Sequence, residues 1–170
     1  MILILMGVVG SGKTTVGNLL AGKLGWEFAD ADDFHPPENI RKIRQGIALT
    51  DSDRMPWLAG LRGAIERWHA EGKNVVLACS ALKHAYRQEL GVGAVKFVYL
   101  KGDPQLISQR LHARRGHFAS DSILDSQLAD LEEPKDAVVV SIAQTPGAIA
   151  AEIIDKLKLA PMSYPDATRK

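Results

Sequence analysis

Five apolar residues, Ile2–Met6, run straight into Gly7-Val-Val-Gly-Ser-Gly-Lys13-Thr14, and an amphipathic segment follows. An apolar run that stops at a glycine is the pattern of a strand buried on both faces. The next eight residues satisfy G-x-x-x-x-G-K-[ST], with a strand entering and a helix leaving, as a phosphate cradle requires. Val16, Leu19, Leu20 and Leu24 recur at helical spacing, and Gly25 stands where the helix should end. Gly7, Gly10 and Gly12 allow the positive φ that turns backbone N–H groups inward on a di- or triphosphate. Ser11 and Thr15 complete the nucleotide-binding set, and the helix starting near Lys13 adds its positive dipole end. Lys13 is expected to reach the β and γ phosphates and the Thr14 hydroxyl to ligate Mg²⁺.

The same unit repeats along the chain. Residues 75–79 precede a helical stretch at 83–90, residues 95–100 precede 104–115, and residues 137–142 precede 146–157, with a short strand at 27–29. Strands alternating with helices predict an α/β fold, a doubly wound, mostly parallel five-stranded sheet with helices on both faces. One domain is expected over residues 1–159 and a peripheral tail over 160–170. Between the first two units, Trp57, Leu61, Ile65 and Trp68 line one helical face and read as core.

A chain of 170 residues buries roughly 70% of its unfolded surface, enough for a core without disulfides or structural metals. The single Cys79 excludes an intramolecular disulfide and reads as a small buried apolar residue. A net charge of +1, from 21 Lys+Arg against 20 Asp+Glu, provides no broad field for a nucleic-acid partner. The apolar start is far short of the ~20 residues that cross a bilayer, and it lacks a basic leader. No membrane association and a cytoplasmic location are expected.

Asp30-Ala-Asp32-Asp33-Phe-His35 follows the second strand, at the end of the sheet where ligand crevices form. Acids beside a polyphosphate are electrostatically costly unless a metal lies between them or one takes a substrate proton. A solvated turn capping a helix is the plainer alternative.

Several further stretches agree in order and spacing: DADDFHPPENIRKI at 30–43, LTDSDRMPWL at 49–58, CSALKHAYR at 79–87, RRGHF at 114–118 and ILDSQLADLEEP at 123–134. Together with the phosphate loop they resemble the gluconate kinases, small P-loop sugar-acid kinases related in fold to shikimate and adenylate kinases. The resemblance spans roughly residues 2–158. It implies ATP-dependent phosphorylation of D-gluconate at its 6-hydroxyl, giving 6-phospho-D-gluconate and ADP. Another acceptor, such as shikimate, another sugar acid or a nucleoside monophosphate, is the alternative. A nucleotide-binding regulatory protein without chemistry should have lost Lys13, the acidic loop or the lid arginines, and all are present.

The resemblance also distributes roles. Asp32 matches the acid that orients or deprotonates the attacking hydroxyl, and Asp30 falls to the Mg²⁺ shell. Arg54 and Arg87 are placed around the substrate carboxylate, which an arginine fork suits, with His35 and Lys83 as lesser candidates. Arg110 is carried to the adenine side and Arg114 to the transferring phosphates, so that Lys13, Asp32 and Arg114 form the expected catalytic set. A mobile lid is expected at about 116–127, hinged near Gly116 and excluding water when closed. Related enzymes are often dimers, which leaves a homodimer as an open expectation.

Overall fold

The computed structural model describes residues 1–45, 47–113 and 120–162. Strand β1 (Ile2–Met6) is fully buried along its whole length. Its side chains alternate between two cores. Leu3 and Leu5 belong to one hydrophobic cluster, and Ile2, Ile4 and Met6 to the other. An uninterrupted apolar run is what two-sided burial demands.

Around β1 the sheet adds β2 (Glu27–Asp30), β3 (Val75–Ala78), β4 (Val95–Lys101) and β5 (Val138–Ser141) in the order β2-β3-β1-β4-β5. All four pairings are parallel, with Leu5 opposite both Ala78 and Val98. The expected doubly wound α/β sheet is therefore present, and it is parallel throughout. Chain entering from β1 passes to the β3–β2 side, and chain leaving β3 passes to the β4–β5 side. The order reverses beside β1, where such sheets open a ligand crevice at their carboxyl ends.

Helices cover both faces. Helices α1 (Lys13–Leu24), α5 (Pro104–Ala113), α6 (Ser120–Asp130) and α7 (Pro146–Leu157) contribute to the Leu3/Leu5 cluster through Leu20, Leu111, Leu124 and Ile153. On the opposite face α3 (Asp51–Ala70) and α4 (His84–Leu90) supply Trp57, Leu61, Ile65, Tyr86 and Leu90. The stripe expected of α3 is core at Trp57, Leu61 and Ile65, and Trp68 packs at its margin against Phe34 in a T-shaped pair.

Two elements were not anticipated. Helix α2 (Pro37–Arg44) has little apolar content and buries only Asn39, so it carries no core stripe to detect. Helix α6 occupies Ser120–Asp130, and the expected lid at about 116–127 therefore continues as regular helix from Ser120 onward. Its first part, residues 116–119, lies outside the described residues, as do Arg114 and Arg115. Helix α5 is described as far as Ala113, two residues short of the expected end. In the expected tail, the Met162 amide donates to the Lys23 carbonyl at 2.9 Å, and residues 163–170 lie outside the described set. Among the described residues no helix is long and apolar enough to cross a membrane.

Leu61 is fully buried between α3 and the sheet. Leu61→Ala is expected to destabilise the fold by roughly 2–5 kcal/mol, measured as a lower urea midpoint with little change in slope.

Candidate active site

The phosphate loop leaves the buried end of β1. Gly10 and Gly12 have φ of +78° and +92°, and Gly12 forms the left-handed N-cap of α1. Gly10 is constrained twice, because a Cβ there would lie 2.9 Å from Leu111 Cγ as well as forcing an unfavourable φ. The loop is thus pressed against α5. Lys13 folds back over it, its ammonium donating to the carbonyls of Gly7 and Val8 at 2.9 Å each. Burial lowers the Lys13 pKa, opposed by electrostatic interaction with Cys79, Asp32 and Asp30. Ser11 Oγ is fully buried and, among the described residues, has no hydrogen-bond partner. Thr15 is exposed on the first turn of α1.

The acidic loop comes from the end of β2. Asp30 accepts the Thr14 hydroxyl proton on Oδ2 at 3.0 Å and the Asp32 amide on Oδ1 at 3.2 Å. One carboxylate therefore joins the phosphate loop to the single 3₁₀ turn, Ala31–Phe34, that presents Asp32. Asp32, like Asp33, is exposed at the surface, but partial desolvation, then the nearby Asp30 charge, raises its pKa, while His35 and Lys13 oppose the shift. Raised in this way, Asp32 becomes a stronger base when ionised. Asp33 is exposed, on the first turn of the 3₁₀ segment.

His35 lies flat on Trp57, with ring centroids 4.9 Å apart and planes 11° from parallel. Trp57 in turn donates from Nε1 to the Ala31 carbonyl at 2.7 Å, so a core tryptophan of α3 holds the acidic loop in place. Burial lowers the His35 pKa, and Arg54 acts in the same direction against the attraction of Asp32.

Arg54 and Lys83 come together across α3 and the N-terminus of α4. Both have acidic partners: Arg54 Nη1 lies 3.6 Å from Asp51 and 3.4 Å from Asp130, and Lys83 Nζ lies 2.8 Å from Asp51 and 3.8 Å from Asp130. Tyr86 joins them, accepting from Arg54 at 3.1 Å and donating its hydroxyl proton to Asp51, with both cations over its ring. Lys83 and Tyr86 hold the Asp51 carboxyl below its usual range. Asp51, Tyr86 and Asp130 were not singled out from sequence. All three lie in or beside the matching stretches, but nothing in their spacing marks them as partners of the cations. Gln127, three residues before Asp130 on α6, accepts the Val9 amide on its side-chain oxygen at 2.6 Å, so α6 touches both the phosphate loop and the cation pair.

Arg110 is directed to the β5 side, donating to the Ile142 carbonyl at 2.7 Å. Arg114 lies outside the described residues. Arg87 is the one described candidate that the structure directs elsewhere. It is only 6% exposed, and its guanidinium donates to the carbonyls of Ala81, Leu82 and Glu132 at 2.9, 2.7 and 2.9 Å. Ala81 has a φ of +44°, rare for a residue with a side chain, and the three bonds fasten that strained loop to the segment after α6. Arg87 is a brace here, not a carboxylate fork open to substrate. Arg87→Met should lower unfolding free energy by about 3 kcal/mol, since it leaves buried carbonyls unpaired, and should shift the KM for the acceptor less than about threefold; denaturation and steady-state kinetics check the two halves.

Cys79 is buried, with its thiol pushed up to about 12 by that burial. It is an unreactive packing residue.

The chain matches the shikimate kinase family over residues 9–158. It is 48% identical over 151 residues to a probable gluconokinase of Xenopus tropicalis, covering 79% of this chain and 80% of the relative. A gluconokinase structure from Sinorhizobium meliloti superposes with a TM-score of 0.78 at 41% identity, covering 92% of this chain and 94% of that one. A sugar kinase from a Janibacter species gives a TM-score of 0.86 at 42% identity, covering 94% and 95%. With the phosphate loop, the acidic turn and the paired cations at one end of a parallel sheet, the chain belongs to the shikimate kinase family of P-loop kinases and, within it, to the gluconokinases.

Proposed function

We propose that this chain transfers the γ-phosphoryl group of ATP to the 6-hydroxyl of D-gluconate, releasing 6-phospho-D-gluconate and ADP. The observation that carries the reading is the position of Asp32, a carboxyl of raised pKa joined through Asp30 to the phosphate loop and electrostatically coupled to His35 and Lys13. Phosphoryl transfer asks a protein for positioning and charge neutralisation, plus a group that takes the proton of the attacking hydroxyl.

Each requirement has a residue. The amides of the phosphate loop, with Lys13, hold the β and γ phosphates, and the Lys13 ammonium exchanges its two carbonyl partners for phosphate oxygens. Arg110 and the turn after β5 form the adenine side. Asp32 accepts the 6-hydroxyl proton as the oxygen attacks. Arg54 and Lys83, with Tyr86 behind them, receive the gluconate carboxylate, and His35 meets the polyol. The unfilled hydrogen-bond capacity of Ser11 and the 3.0 Å approach of Thr14 to Asp30 fit phosphate and metal respectively. Two hard oxygen groups beside phosphates suit Mg²⁺, which is held by few protein ligands and otherwise by phosphate and water; when bound it neutralises charge on the phosphoryl oxygens. Arg114 belongs to the same proposal as the arginine that reaches the transferring group. A lid over residues 116–127, a homodimer and a cytoplasmic location complete it.

An acceptor panel of gluconate, shikimate, other sugar acids and nucleoside monophosphates, with ATP and Mg²⁺ and coupled detection of ADP, tests the substrate. Gluconate should give turnover well above the water background; turnover confined to another acid overturns the reading. Asp32→Asn should lower kcat by a factor on the order of 100 or more with little change in ATP affinity. Because the base must be ionised, kcat/KM should rise with pH through the Asp32 titration, on a limb displaced upward from that of an ordinary aspartate. That limb should vanish in Asp32→Asn.

A further inference from the structure

Asn39 has no part in the reaction as described, yet it is 3% exposed on a helix that buries nothing else. Its amide nitrogen donates to the Asp53 carbonyl at 2.7 Å and stands 3.4 Å from His35 Nδ1. The orientation of the amide is forced. A carbonyl only accepts, so the nitrogen, not the oxygen, must face Asp53. The second hydrogen of that nitrogen then points toward Nδ1. An Nδ1–H on the imidazole would set donor against donor, and so would an imidazolium. The plane of the ring is held by its stack on Trp57, itself fixed by its bond to Ala31.

We propose that Asn39 is a positioning residue that fixes His35 as the neutral tautomer, with its proton on Nε2. The ring edge away from Asn39 is thereby a hydrogen-bond donor aimed out of a rigid stack, suited to an oxygen of a polyhydroxylated acceptor. The amide of Asn39 thus sets the direction of that hydrogen bond through His35. Asp53 is itself anchored by Lys42 at 2.6 Å and by the reciprocal cap with Thr50, so the carbonyl that orients the amide belongs to a rigid helix start.

The kinetic part rests on the gluconate kinase reading; the tautomer does not. Nitrogen-15 correlation spectra of the full chain labelled at histidine, with His35 assigned by its loss in His35→Gln, should show an unprotonated Nδ1 and a protonated Nε2 near neutral pH. A protonated Nδ1 overturns the proposal whatever the substrate proves to be. Asn39→Asp replaces the donor by an acceptor and should move the proton to Nδ1. It should lower kcat/KM for the acceptor selected by the panel by about tenfold, the scale of one mispaired hydrogen bond, without altering the KM for ATP. In the His35→Gln background the same substitution should cost less than about twofold. An equal loss in both backgrounds shows that Asn39 serves only the fold and overturns the proposal. Should Asn39→Asp fail to fold, Asn39→Leu removes the donor at similar volume, and a His35 tautomer unchanged in that variant is again the overturning result.

Discussion

Burial of β1 on both faces is the constraint from which the rest of this molecule follows. A strand with alternate side chains in two separate cores cannot shift register or tilt without disturbing both, and its carboxyl end is therefore the most fixed point in the sheet. The phosphate loop begins there. Gly10 packs so closely on Leu111 that no side chain fits, and Gly12 starts α1 in a left-handed conformation. The cradle is held by the core beneath it and by its own amides, Gly7 donating to the Ser80 carbonyl and Val9 to the Gln127 side chain.

The second half of the site is built on the other face. Trp57, Leu61 and Ile65 seat α3 in the core, and the start of the same helix carries Asp51, Asp53 and Arg54. Trp57 acts on both levels. Its ring fills the core and supports His35, and its indole N–H holds Ala31 in the acidic loop. Asp30 closes the circuit by bonding Thr14. Nucleotide and acceptor sides, although they arise from different layers, are linked through one carboxylate and one tryptophan.

Elements with a strong period were legible in the sequence: β1, the glycine loop, α1 and the apolar stripe of α3. The short helices were not, because α2 buries one asparagine and α6 fully buries Leu124 alone, with Leu128 only partly covered beside it. Within the site, residue types and spacing singled out Lys13 and Thr14 in the glycine loop, whereas Asp32 took its expected role from the family resemblance. Arg87 shows the limit. A motif gives an arginine a neighbourhood, but whether its fork meets a substrate carboxylate or a loop's own carbonyls depends on the strained backbone at Ala81, which no residue spacing reveals. Asn39 is the converse case, an unremarked polar residue whose importance lies in which atom faces which.

The near-zero net charge hides a local balance that is itself informative. Lys13 lies among Asp30, Asp32 and its own loop carbonyls, and Arg54 and Lys83 lie against Asp51 and Asp130. Such pairing keeps cations oriented without an excess positive field, which would draw in any polyanion. It also sets a selection rule. Asp51 and Asp130 already provide carboxylate oxygens to the cation pair, so an incoming acid gains only what improves on them in geometry or in the hydroxyl contacts it brings. A bare carboxylate offers the pair nothing that Asp130 does not. Under the proposed function, an acid with a row of hydroxyls would add contacts at His35 and Asp32 that the resident aspartates cannot supply, and discrimination would follow from the polyol and the carboxylate being read together.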